Sequence, residues 1–445
     1  MSRLRQRIES CRKRTCVLNL LLLDEELQGN KCTMSRMGDI SFAPTLGSRE
    51  LFPDLEPLVY CNHAALSPPS WPVRRAMQNA LVEIGRRGAG AYGGLISQRN
   101  RLRAKLAQLI GATTDEIAFI PNTSYGVTAI AFSFPWRAKD RVVLFEGEFP
   151  ANVTPWLQAA KHFDLTPVML AVCDFQESDE KGLARLEETL KEGARLVAVS
   201  AVQFQSGLRL PLESMAKLCH AHGAELFVDA IQAVGIIPLD IHALGIDYLA
   251  SGGHKWLMGP EGTGMLYVRR DRGADLVPNL ASWLSQQDGL GFLLEGPNLM
   301  RYGAPFKQGS AMFETGCVNA IGLVGLEAAL DLLLSLGPQK ILAHVSPWLD
   351  GVETGLVERG FTSLRAAEEH RRSGILGVVP PAGISVVELQ RALATRGVIC
   401  ALPDGVLRLS PHWENNVDEV EQVLLSTDDA VAELRGEKSP RQDDW

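Results

Sequence analysis

Long apolar runs are missing from this 445-residue chain, and no stretch reaches the length of a membrane-spanning helix. Positive charge is also in short supply. With 44 Lys and Arg against 52 Asp and Glu, the net charge is −8, so neither nucleic acid nor an anionic membrane is indicated as a partner. The eight cysteines (Cys11, Cys16, Cys32, Cys61, Cys173, Cys219, Cys317 and Cys400) are scattered, with no C-x-x-C pair. In a chain of this size that argues against a disulfide framework and for reduced thiols in a cytoplasmic protein. What remains is ordinary: 46% hydrophobic and 22% charged residues, with length for two or three domains and a large core.

The N-terminus imitates a signal peptide crudely. Basic residues from Arg3 to Arg14 precede Val17-Leu18-Asn19-Leu20-Leu21-Leu22-Leu23, but Asp24-Glu25-Glu26 follows at once and no small-residue cleavage site is evident. Residues 1–45 are therefore expected to be a disordered or frayed extension, with Met34 or Met37 as an alternative start.

The chain is organised around Ser251-Gly252-Gly253-His254-Lys255-Trp256. A strand-like run, Ile246–Ala250, leads into it, and Gly264–Val268 follows. A lysine held between buried strands loses solvation, which lowers its pKa and favours the neutral amine that a Schiff base requires. Taken alone, the stretch also fits a snorkelling surface lysine in a glycine-rich turn. A second signal lies 26 residues upstream, where Leu226-Phe227-Val228-Asp229-Ala230-Ile231-Gln232 sets an acid at the end of an apolar strand. In parallel sheets that edge is where ligands bind.

Strands and helices alternate along the chain. The pattern predicts a helix over Val73–Arg86 and another over Gln98–Ile110, then a strand Ile117–Ile120 and the turn Pro121-Asn122-Thr123-Ser124. Further strands are expected at Val142–Phe145 and Arg195–Ser200, a helix at Pro211–His222, and a strand at 224–229. Such β-α-β alternation implies an α/β fold with a mostly parallel sheet. His220 and His222, two apart on a helix, face different ways and make a poor metal pair. A long apolar helix, Ala320–Leu336, precedes a strand at Gly374–Val379, a helix at Ser385–Arg396 and a hairpin at Val398–Leu409.

The V-D-A-I-Q and G-G-H-K segments together resemble the class V aminotransferase family of pyridoxal-phosphate (PLP) enzymes, which includes cysteine desulfurases, selenocysteine lyases, kynureninases and isopenicillin N epimerases. The similarity runs from about Tyr60 to about Leu424. It also takes in Phe313-Glu314-Thr315-Gly316-Cys317-Val318-Asn319 and Arg408-Leu409-Ser410-Pro411-His412. The resemblance implies the PLP-dependent transferase fold (fold type I), with a large PLP-binding domain at 76–320, an N-terminal arm at 46–75, a smaller α/β domain at 321–426 and a polar tail at 427–445.

By the same resemblance Lys255 is the Schiff-base lysine and shuttles the α-proton, and Asp229 keeps the ring nitrogen protonated. Thr123, Ser124 and His254 hold the phosphate, Phe149 stacks on the ring, and Gln203 and Gln232 lie on the ring-hydroxyl side. Cys317 replaces the threonine that reaches a partner subunit's phosphate in relatives, and a thiol is a weaker donor. Asn62 and His63 on the arm are candidate substrate contacts, alongside a purely structural role for that arm. Arg408 is the candidate for gripping the substrate carboxylate. Cys400 sits in an apolar strand, where a thiol is inert, so a persulfide-forming desulfurase is disfavoured. The expected protein is a homodimer with its active site at the interface. It acts at the α-carbon of a small amino acid as an aminotransferase, with a C–S or other β-lyase or an epimerase as the alternative, and a non-catalytic PLP-fold protein behind those.

Overall fold

The computed structural model describes residues 43–437. All but the last three residues of the expected extension 1–45, and the end of the expected tail, lie outside the described part.

Seven strands make the central sheet: β2 (Ile117–Phe119), β3 (Arg141–Glu146), β4 (Thr166–Ala171), β5 (Leu196–Ser200), β6 (Glu225–Asp229), β7 (Tyr248–Gly252) and β8 (Gly264–Val268), with β1 (Val59–Tyr60) preceding them in the arm. Their order across the sheet is β2-β8-β7-β6-β5-β3-β4. The pairs from β4 through β7 are parallel, whereas β8 runs antiparallel to both neighbours. Every residue of β5, β7 and β8 is buried. This explains why they read as continuous apolar runs rather than alternating ones, since both faces are covered.

The helix Thr123–Ser133 packs on one face. Gly126 comes so close that a Cβ there would stand 2.7 Å from the Ala250 side chain. Val127, Ile130, Phe134, Trp156 and Phe227 close the core around it, Trp156 meeting Phe227 edge-on at 5.2 Å.

Two smaller sheets complete the chain. Strands β9 (Thr362–Ser363), β10 (Leu376–Val379) and β12 (Leu407–Leu409) form an antiparallel sheet in the order β12-β10-β9, and β1 pairs in parallel with β11 (Val398–Ile399). The expected hairpin over Val398–Leu409 is therefore mostly absent. Its halves join different sheets and touch only at the Ala401–Arg408 bridge, because the arm takes the edge of β11. Residues expected as tail from 427 are helical instead, since Glu419–Arg435 runs through them. Its buried stripe is Val423, Ser426, Thr427 and Ala430, a helical spacing made largely of small polar residues that hydrophobicity alone does not reveal. Among the described residues no single helix is long and apolar enough to cross a membrane.

Glycine is required at Gly235, where φ is +107° and a Cβ would lie 2.3 Å from the carbonyl oxygen of Trp256. Gly235→Ala must therefore push the segment that carries Lys255. The expected cost is about 2–4 kcal/mol by chemical denaturation, from overpacking and backbone strain together. A variant within 0.5 kcal/mol of wild type, roughly the noise level for surface changes, would show that the contact relaxes freely.

Candidate active site

Strands β3, β5, β6 and β7 end on one edge of the sheet, at Glu146, Ser200, Asp229 and Gly252. That edge opens into a cleft of about 820 Å³, a size suited to a cofactor with a small substrate. Lys255, Asp229, Gln232 and His254 line it, with Thr123 and Ser124 on one side and Phe149 and Arg408 on another.

Lys255 is half-buried, with its Nζ 5.7 Å from the centre of the Phe149 ring. Burial pulls its pKa down to about 8; the Arg408 charge adds to this and Asp229 opposes it. Its loop is held firmly. The Lys255 carbonyl accepts from the Met258 N–H at 2.8 Å and from Ser67 Oγ at 2.6 Å. Met258 takes a left-handed conformation (φ 55°), and its sulfur accepts from the Trp413 indole at 2.9 Å.

Asp229 is buried beneath the cleft, and burial raises its pKa to about 6, although Oδ1 accepts the Ile231 N–H at 3.0 Å. Beside it stands Glu148, which the sequence reading did not single out. One of its oxygens accepts the Ser200 N–H at 2.6 Å and the other accepts from the Ser200 hydroxyl. Burial raises this carboxyl to about 7, and Asp229 adds to the effect.

Asn122 caps the helix Thr123–Ser133 by accepting the Tyr125 N–H at 2.8 Å. This leaves an eleven-residue helix with its N-terminus at the cleft. Thr123 Oγ1 accepts the Gly252 N–H at 2.9 Å, so its own hydrogen stays free to donate, and Ser124 is exposed beside it. Free donors at a helix N-terminus suit a phosphate. Burial lowers the pKa of His254, with Lys255 adding to the shift. A buried carboxylate with Lys255 as its cationic neighbour, a flat aromatic wall and a donor-rich corner fit the ring nitrogen, ring face and phosphate of PLP.

Three expected contacts fall elsewhere. Asn62 and His63 do not line the cleft; their chain neighbours Ala64 and Ala65 do. His63 is buried instead, within 2.6 Å of Glu414 and 2.7 Å of Ser67 Oγ. Gln203 is turned into its own loop, bonding Gln205, Ser206 and Gly147. Cys317, expected to reach a partner subunit's phosphate, is exposed in a separate hollow of about 220 Å³ with Tyr125 and Phe313. Gln232 lines the cleft, but its amide joins the Ala64 carbonyl (3.0 Å) to the Trp256 indole (2.8 Å). Its role is to tie the arm to the lysine loop. Glu148, Phe204, Gln205 and Asp404 are among the cleft residues that the sequence did not reveal.

A half-buried lysine facing a buried carboxylate at the carboxyl edge of a mostly parallel sheet defines a PLP-dependent enzyme of the α/β class acting on an amino acid. The chain belongs to the class-V aminotransferase family, whose model matches residues 64–423. It is 29% identical to an uncharacterized aminotransferase of Bacillus subtilis, over 84% of this chain and 95% of that one. It is also 32% identical to a probable cysteine desulfurase of Methanothermobacter thermautotrophicus, over 88% and 99%. In fold it is similar to the cystine C-S lyase C-DES, captured with its product cysteine persulfide. The TM-score is 0.75 at 21% identity, covering 84% of this chain and 98% of that one.

Proposed function

We propose that the protein is an aminotransferase acting at the α-carbon of a small amino acid. The observation that carries an amino acid as substrate is Arg408, and transfer is preferred to a persulfide relay because none of the described cysteines lines the cleft. The Arg408 guanidinium is buried at the cleft, Nη1 donates to the Phe204 carbonyl at 2.8 Å, and Nε has no partner. Burial lowers even this guanidinium to about 10. A desolvated, half-satisfied fork invites a carboxylate.

Bound PLP supplies an electron sink for charge developing at the α-carbon. The chain's residues do the rest. Arg408 holds the carboxylate and so orients the α-carbon. Lys255, with its amine near neutrality, accepts and returns the α-proton. With PLP bound, Asp229 would keep a proton on the ring nitrogen, Phe149 would stack on the ring, and Thr123, Ser124 and His254 would hold the phosphate.

A second reading, a C–S lyase, is favoured by the relatives named cysteine desulfurase. The described cysteines do not support a persulfide relay. Cys61, Cys219 and Cys400 are buried, with burial pushing Cys400 up to about 12. Cys173 and Cys317 are exposed, but neither lines the cleft. Stopped-flow spectra and product analysis with L-alanine, L-glutamate and L-cysteine separate the two readings. The expected result is transfer of the amino group to the cofactor, read as pyridoxamine phosphate after denaturation. Catalytic release of sulfide from L-cysteine without such transfer replaces the first reading with the second.

The exposed apolar side chains of Leu81, Val82 and Ile96, with Met300, Tyr302 and Phe306, support a homodimer that covers them. The buried, unpaired thiols support a cytoplasmic setting.

A further inference from the structure

Loop 203–206 joins two walls of the cleft, and one amide organises it. The Oε1 of buried Gln203 accepts the backbone N–H groups of Gln205 and Ser206, each at 2.7 Å, and the Ser206 hydroxyl at 3.1 Å. Backbone N–H groups can only donate, so this end of the amide is the oxygen and the other end is the NH2. That NH2 donates to the Gly147 carbonyl and to Gln205 Oε1, both at 3.0 Å. Gly147 lies two residues before Phe149, so the same side chain ties the loop to the segment carrying the aromatic wall. From the opposite side β10 presses in, since a Cβ on Gly377 would stand 2.4 Å from the Gln205 carbonyl oxygen.

Two neighbouring residues of the loop thereby reach the cleft. The Phe204 carbonyl takes one arm of Arg408, while the Phe204 ring meets Phe149 edge-on at 5.4 Å. Gln205 lines the cleft with its oxygen already engaged, so its nitrogen is the end left to face a ligand, and that nitrogen makes no hydrogen bond among the described residues. An amide NH2 with no acceptor thus lines the cleft one residue from the carbonyl that anchors Arg408, and Arg408 lines the same cleft.

We propose that Gln205 is a substrate-binding residue that donates to the substrate carboxylate beside Arg408, and that Gln203 is the positioning residue that aims it. The proposal rests on the reading of Arg408 as the carboxylate site.

The test uses holoenzyme and two carbonyl reagents that quench the cofactor band: aminooxyacetate, which carries a carboxylate, and methoxyamine, which does not. Wild type is expected to prefer aminooxyacetate. Gln205→Leu keeps the volume and removes the donor. It is expected to weaken aminooxyacetate about tenfold, the usual size for a hydrogen bond to a charged group, and to leave methoxyamine unchanged. Gln203→Ala is expected to do the same and also to lower the melting temperature. Equal losses toward both reagents, or no loss in Gln205→Leu, overturn the proposal. A wild type without any preference overturns the Arg408 reading instead.

Discussion

Lys255→Ala is expected to reduce turnover by roughly 10³-fold or more, in the range that loss of a general acid–base group causes. It is also expected to abolish the visible band of the lysine-linked cofactor. Both effects follow from one placement. The Lys255 amine lies in the cleft with Asp229, Arg408 and the Phe149 ring, where burial pulls its pKa to about 8. At pH 8 about half of such amines are neutral, against about one in 250 for an ordinary lysine. Lys255→Arg is expected to be as inactive as the alanine variant, because a guanidinium keeps its proton. It separates loss of chemistry from loss of volume. Absorbance titration and steady-state assay read both effects. Unchanged absorbance and turnover in Lys255→Ala would dismiss the site as described.

Much of this arrangement was legible before the fold was known, for a physical reason. Fully buried parallel strands must be short apolar runs, and their carboxyl ends must face the same way. Asp229 and Lys255 at the ends of two such runs therefore had to meet. Phe149, Thr123 and Arg408 came from the family resemblance instead, and Arg408 lies on β12 of a separate sheet, which no strand-end argument would have placed at the cleft. Gln203 illustrates what was not legible. A glutamine beside a cleft looks like a ligand contact, yet whether its amide turns outward or inward depends on which backbone groups lack partners in the folded loop. Two N–H groups, on Gln205 and Ser206, decide that choice. His63 was missed in the same way. Its partner, Glu414, lies 351 positions away in the sequence, and no local pattern connects them. The last helix was misread because Ser426 and Thr427 can fill a buried stripe as well as larger apolar residues do.

Glu414→Ala is expected to destabilise the fold by about 3–5 kcal/mol, the usual cost of removing one partner from a buried pair. Glu414 and His63 are both fully enclosed and 2.6 Å apart. Burial pushes the Glu414 carboxyl up, but His63 outweighs it and holds the pKa below the ordinary value. The chain of contacts continues from His63 to Ser67 and from Ser67 to the Lys255 carbonyl, so the pair fixes the lysine's peptide as well as the arm. Its pH dependence has a definite sign. A carboxylate with a depressed folded pKa stabilises above the unfolded value of about 4.3 and loses that contribution as pH falls through the folded value. His412 acts in the same direction. It is neutral, with Nδ1 accepting the Trp413 N–H (2.8 Å) and Nε2 donating to the Trp256 carbonyl (3.1 Å). Burial, aided by His63, lowers its pKa to about 3. The unfolded chain takes up that proton near pH 6.5 and the folded chain only near 3, so stability rises with pH across that window. Urea denaturation between pH 2.5 and 8 checks both effects, the Glu414 contribution being lost below about pH 4.3 and the His412 one below about 6.5. Glu414→Ala should be far less stable than wild type at pH 7, with the gap narrowing as acid protonates Glu414 in the wild type. Equal stability at pH 7 would mean that the pair is not what holds the arm against the lysine loop.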